Sequence, residues 1–140
     1  MWFNPIVAAI LRSPLHSWIS GSVMLVNYTG RKSGKSYTLP VNYLRDSDNL
    51  ITLSSRERVW WRNLLDGGQV NLRLQGRVAA ALPQVLRTDG EVASALAQVA
   101  RLAPQYARFL KIRLDSSGQP DPGDLMRAAA DRVVILWRLL

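Results

Sequence analysis

The 140-residue chain has no cysteine and a single histidine, His16. Missing cysteine excludes disulfides, thiolate nucleophiles and thiolate metal sites, and a lone histidine cannot anchor a protein metal centre. No apolar run is long enough to cross a bilayer. The best candidate, Pro5 to Leu11, has no basic stretch before it and no clean small-residue cleavage site after it, so it does not read as a signal peptide. The chain is therefore expected to be cytoplasmic. Acidic residues are the minority, 10 against 18 Lys and Arg, which leaves a formal net charge of +8. Neither a carboxylate pair nor a Ser-His-Asp set is evident, so general acid–base hydrolysis and nucleophilic catalysis lack their usual groups.

With 48% hydrophobic residues and no repeat or linker, residues 1–140 read as one domain with a core of its own. The charge favours an anionic partner, whether nucleic acid, an acidic membrane surface or a phosphorylated small molecule. Apolar residues from Phe3 to Ile19 recur at steps of three and four, which predicts an amphipathic helix over residues 1–20 with a bend at Pro14. That helix either packs on the rest of the domain or meets a membrane surface. His16 lies on it and reads as structural.

Strand signals dominate the chain beyond this helix. Val23 to Val26 is a short buried run, and Tyr37 to Tyr43 alternates with period two. Asp46 to Asn49 is a turn before Leu50 to Leu53, which suggests that these last two strands form a hairpin. Val70 to Leu74 and Val78 to Leu86, separated by Gly76, predict a second hairpin, and Val133 to Trp137 a final buried strand. Helices are expected from Val59 to Leu65, from a cap at Thr88 or Asp89 to Leu102, around Tyr106 and Phe109, and from Leu125 to Ala130. About six mostly antiparallel strands with interspersed helices point to a small barrel of mainly β, α+β class. A nucleic-acid-binding barrel should interleave aromatics with basic residues on exposed strands. Val70, Leu72 and Leu74 instead alternate with Asn71 and Arg73, so no nucleic-acid partner is expected.

The chemistry-bearing stretch is Gly30-Arg31-Lys32-Ser33-Gly34-Lys35-Ser36, with three cations, two hydroxyls and two glycines in one turn. Glycines let backbone N–H groups converge on an anion, and a phosphate is the natural occupant. It is not a P-loop. The glycines are four apart rather than five, and a strand pattern with Pro40 follows instead of a helix. A solvated basic turn is the competing explanation on composition alone.

Taken with Pro40-Val41, Arg45-Asp46, Ser54-Ser55-Arg56 and Trp60-Trp61-Arg62-Asn63-Leu64, in that order, this stretch resembles the deazaflavin-dependent nitroreductase and quinone reductase family. The resemblance runs from about Ser13 to Leu86. It implies a split β-barrel of the FMN-binding, pyridoxamine phosphate oxidase-like type, with coenzyme F420 as cofactor and FMN as the alternative. It implies a deazaflavin-dependent oxidoreductase passing a hydride to a quinone, nitro compound or activated alkene. An FMN-binding carrier or flavin reductase is the second reading. By resemblance Gly30, Arg31, Lys32, Ser33, Gly34 and Lys35 line the phosphate and tail path, and Pro40 and Val41 flank the ring. Ser54, Ser55 and Arg56 meet the ring edge or phosphate, and Trp60 and Trp61 supply an aromatic cover and core packing. Tyr106 is the candidate catalytic residue, as proton donor or substrate contact. Expected partners are the polyanionic cofactor and a small apolar electron acceptor, in a monomer or homodimer.

Three departures from the family pattern matter. Tyr37 stands where a basic residue is common, the loop after Arg56 is short, and Tyr106 is the one matching tyrosine of a C-terminal set. The last favours an apolar acceptor such as a quinone over a nitroaromatic.

Overall fold

A computed structural model describes residues 23–30, 32–46, 49–74 and 76–140. The segment predicted as an N-terminal helix, with His16, and Arg31 of the basic turn lie outside the described residues. Seven strands form one sheet: β1 (Val23–Thr29), β2 (Ser36–Asn42), β3 (Leu44–Asp46), β4 (Asn49–Ser55), β5 (Val70–Leu74), β6 (Arg77–Leu86) and β7 (Arg132–Leu139). Their order is β2-β1-β5-β6-β7-β4-β3, and every pairing is antiparallel.

The sheet curls until its two ends meet. Asn42 closes the gap: its side chain donates to the Leu53 carbonyl (3.2 Å) and accepts from the Leu53 N–H (3.3 Å). The Thr52 hydroxyl donates to the Asn42 carbonyl at 2.7 Å. β6 sustains the curl by changing partner at Ala81, pairing with β5 before it and with β7 after it. Pro83 falls beyond the β5 pairing, where its missing N–H costs no ladder bond on that side.

The hairpins differ from the expectation in one respect. β4 pairs with the short β3, while β2 pairs along its whole length with β1. The chain leaves the strand conformation at Tyr43, which is 3% exposed, and this break frees β2 to return along β1. The basic stretch is thereby the turn of the β1–β2 hairpin.

Three α-helices cover one outer face: α1 (Asp89–Leu102), α2 (Pro104–Phe109) and α3 (Pro122–Ala130). Thr88 caps α1, its hydroxyl accepting from the Glu91 N–H at 3.3 Å and donating to the Glu91 carboxylate at 3.0 Å. A 3-10 helix spans Trp60–Leu64 in place of the α-helix expected there.

Two apolar layers result, and β4 and β7 belong to both. Leu50, Val133, Ile135 and Trp137 point into the barrel with Met24, Val26 and Leu72. Ile51 and Val134 point outward under Val92, Leu96 and Val99 of α1. A strand covered on both faces needs a continuous apolar run, which explains Val133 to Trp137. Where β4 and β7 bury polar atoms together, they satisfy each other: the Trp137 indole donates to Thr52 Oγ1 at 2.8 Å.

Candidate functional site

Two clefts open on the same part of the barrel. The first, about 450 Å³, is walled by the β1–β2 turn and the 3-10 helix. Gly30, Lys32 and Ser33 come from the turn, and Trp60, Arg62 and Asn63 from the helix. Its floor is aromatic. Tyr28 and Tyr37 are cross-strand partners, stacked with ring centroids 5.6 Å apart, and Trp60 lies 6.3 Å from Tyr28. The Tyr37 hydroxyl is 3.1 Å from Ser33 Oγ, which ties the floor to the turn. Burial chiefly, with repulsion from the neighbouring Tyr37, raises the Tyr28 phenol above its ordinary pKa, and Arg58 opposes the shift.

Gly30 has a steric reason to be glycine. A Cβ there would sit 2.6 Å from Tyr37 Cε2 and 2.7 Å from Ser33 Oγ. Gly34 has a conformational one, φ +69°. The turn nevertheless uses much of its own backbone. Gly30 N–H donates to the Lys35 carbonyl (2.7 Å), Gly34 N–H to the Gly30 carbonyl (2.9 Å), and Lys35 N–H to Ser33 Oγ (3.2 Å). The amides of Gly30, Gly34 and Lys35 are thus engaged within the turn rather than offered to an anion.

The second cleft, about 310 Å³, lies between the end of β4 and the helices. Asn42, Ser54, Ser55, Tyr106, Asp131 and Arg132 line it, and an apolar trough over Tyr106 and Phe109 adjoins it. Burial raises the Tyr106 phenol above its ordinary pKa, so the hydroxyl stays protonated and able to donate. Trp60 and Ser54 join the clefts, for the Trp60 indole donates to Ser54 Oγ at 3.1 Å. Ser54 Oγ is also 3.3 Å from the Ser55 carbonyl, and the exposed Ser55 side chain faces the second cleft.

The sequence-derived residues therefore divide. Gly30, Lys32, Ser33 and Trp60 meet in the first cleft, and Ser54, Ser55 and Tyr106 in the second. Gly34 and Lys35 belong to the turn but do not line it. Pro40 and Val41 line neither cleft: Val41 is packed in the barrel core and Pro40 is paired with Leu25 on the sheet edge. Trp61 is also core, with its indole N–H buried and unpartnered. Arg56 is turned away. Its guanidinium donates to the carbonyls of Ala129 (2.9 Å) and Arg132 (3.1 Å) and pairs with Asp89 (3.2 Å). Sequence reasoning missed Tyr28, Arg62, Asn42 and Arg132. Extending the period-two pattern of β1 by two residues would have found Tyr28, which shares a face with Met24 and Val26. Arg62 stands inside the Trp60 to Leu64 motif but was given no role, and no local signal marks Asn42 and Arg132, which only the closed barrel brings to the second cleft.

The profile of the F420H2-dependent quinone reductase family matches residues 13–113, a span that includes both walls of the first cleft and Tyr106 of the second. The chain belongs to this family. Among solved structures, an F420 reductase is similar at 14% identity, with TM-score 0.52 over 91% of this chain and 94% of that one. An F420-H2 dependent reductase is similar at 16% identity, with TM-score 0.51 over 82% and 93%. A Listeria innocua protein provisionally named pyridoxamine 5'-phosphate oxidase is similar at 11% identity, with TM-score 0.51 over 96% and 91%. Likenesses at these identities carry the fold, and the fold is the split β-barrel. A comparison with curated proteins returned no match. Among the described residues, no helix of this family member is long and apolar enough to cross a membrane.

The residues present fit the cofactor that the family's name implies. Among the described residues, the first cleft offers two cations and no carboxylate beside flat aromatic walls, a donor set suited to an anionic chain attached to a ring.

Proposed function

We propose that this chain is an F420H2-dependent reductase whose acceptor is a small apolar quinone. The observation that carries the reading is the first cleft, where Lys32 and Ser33 of the basic turn lie beside the Tyr28, Tyr37 and Trp60 rings, within a chain of this family. Lys32, Ser33 and Arg62 would hold the phosphate and carboxylates of the tail. Trp60 and Ser54, bonded to each other, would stand beside the ring. When bound, the reduced deazaflavin supplies the hydride.

The protein's own contribution is orientation, an apolar wall and a proton donor. The second cleft would take the acceptor against Phe109 and Tyr106. Tyr106, kept neutral by burial, would donate a hydrogen bond to the acceptor oxygen on which charge develops.

The test is a fluorescence titration with oxidised F420 and with FMN, followed by anaerobic mixing of the protein and F420H2 with a soluble naphthoquinone. Tight deazaflavin binding, weaker FMN binding and quinone-dependent recovery of the oxidised chromophore are expected. Binding of FMN alone would move the chain to the flavin branch of the fold. Oxidation by nitro compounds or activated alkenes but not by the quinone would overturn the acceptor assignment.

A further inference from the structure

Arg132 puts a charge at the end of a face that is otherwise apolar. Along β7 it shares the outward side with Val134 and Leu136, which pack beneath the helices. Its cross-strand partner is Ser55 of β4, so the two residues stand side by side on the sheet, and both line the second cleft. Tyr106 and Phe109 line the same cleft from α2.

Helix capping does not account for this arginine. Among the described residues its side chain makes one hydrogen bond, from Nη1 to the Ala128 carbonyl at 3.1 Å, and joins no salt bridge. Arg56 already serves the same end of α3, donating to the Ala129 carbonyl at 2.9 Å. A guanidinium carries several N–H donors, so most of the fork remains available to a ligand. Asp131 also lines the cleft, but it is exposed, and water screens its charge. Arg132 is half-buried, and an anion beside it would offset the cost of that burial.

A cleft of about 310 Å³ takes one small ring system. An acceptor ring lying against Phe109 would meet Tyr106 on the helix side and Arg132 on the sheet side. A quinone that accepts a hydride gains two electrons and one proton and becomes a hydroquinone monoanion. The proton released to water by oxidation of the cofactor balances the one that this monoanion then takes up. Between the two steps the acceptor oxygen is anionic. A cation that keeps its charge at every working pH stabilises that oxygen without titrating itself.

We propose that Arg132 is a catalytic residue toward the acceptor: it stabilises the oxyanion formed on reduction and so favours acceptors that gain negative charge. The proposal rests on the assignment of the second cleft to the acceptor.

The experiment compares wild type, Arg132→Gln and Arg132→Lys. Oxidation of F420H2 is followed with a neutral naphthoquinone and with methylene blue, a cation that becomes neutral when it accepts the hydride. Binding of a hydroxynaphthoquinone that is an anion at neutral pH is followed without cofactor, by tryptophan fluorescence. Arg132→Gln should slow quinone reduction about tenfold or more, leave methylene blue reduction unchanged or faster, and weaken the anion about tenfold. Arg132→Lys should recover part of both losses. F420 affinity should be the same in all three proteins, which shows that the variants are folded. Equal slowing with both acceptors would overturn the proposal and assign Arg132 to holding the end of α3. Unchanged quinone reduction, or unchanged affinity for the anion, would overturn it as well. A wild type that does not bind F420, or that reduces methylene blue but not the quinone, would sink the proposed function itself.

Discussion

The Trp60 indole N–H donates to Ser54 Oγ across 3.1 Å, and both residues are at least nine-tenths buried. This bond forms the partition between the two clefts, one end in the aromatic floor of the first and the other at the base of the second. Ser54→Ala would strand a buried donor, at a cost of about 1–3 kcal/mol. Urea denaturation should show that loss, and Ser54→Thr, which keeps the hydroxyl, should show less of it. A midpoint unchanged in the alanine variant would mean that the indole is satisfied some other way.

The two glycines of the basic turn should separate stability from binding. Gly30→Ala pushes a methyl into Tyr37 and Ser33, the ring and hydroxyl that shape the first cleft. It should lower stability by about 1–3 kcal/mol and weaken F420 binding as well. Gly34→Ala meets no neighbour within 4 Å but must adopt φ +69°. It should cost about 1 kcal/mol and leave affinity nearly intact. Paired thermal melts and cofactor titrations check both, and equal effects on affinity would contradict the cleft geometry.

Acid sensitivity should be concentrated at Asp124. Its carboxyl, 4% exposed, accepts from the side chain and backbone N–H of Arg113 and lies beside Arg127. The Arg113 hydrogen bonds, foremost among the causes, hold its pKa down from 3.8 to about 2 despite the opposing effect of burial. In the folded chain it stays charged where the unfolded chain would protonate. The stabilisation is therefore complete above about pH 4 and disappears as the pH falls toward 2. Melting temperature followed from pH 7 to pH 2 should drop in that window. Asp124→Asn should be less stable at neutral pH and show a shallower acid limb.

Tyr106→Phe tests the second cleft. Losing one hydrogen bond to the acceptor should lower kcat/KM roughly five- to tenfold, while F420 affinity stays the same. Because burial raises the Tyr106 pKa, any loss of wild-type activity from its ionisation should fall on the alkaline side of the ordinary tyrosine range. An equal fall in cofactor affinity would place Tyr106 in the cofactor's pocket rather than the acceptor's.

Local pattern was enough for most of the described elements and for the loop that carries charge, though it missed β3 and read the 3-10 helix as an α-helix. Period-two alternation marked β2 and β5, the continuous run Val133 to Trp137 marked a strand buried on both faces, and Thr88 announced the start of α1. The order of short motifs from Gly30 to Leu64 pointed to the family because those motifs follow one another closely in sequence. Pairing was less legible. A strand's alternation records which face is buried but not which neighbour it meets, so the break at Tyr43 and the return of β2 along β1 were hidden. The roles of individual site residues were hidden for the same reason. Arg56 and Arg62 look equally free in the sequence, yet carbonyls at the end of α3 and the start of β7 consume the first, while Trp61 holds the second against the first cleft. Sequence determined which segments form strands, helices and a cationic turn, since those depend on neighbours along the chain. Tertiary structure decided which cations remain available to a ligand, because that depends on carbonyls and rings from segments far away in sequence.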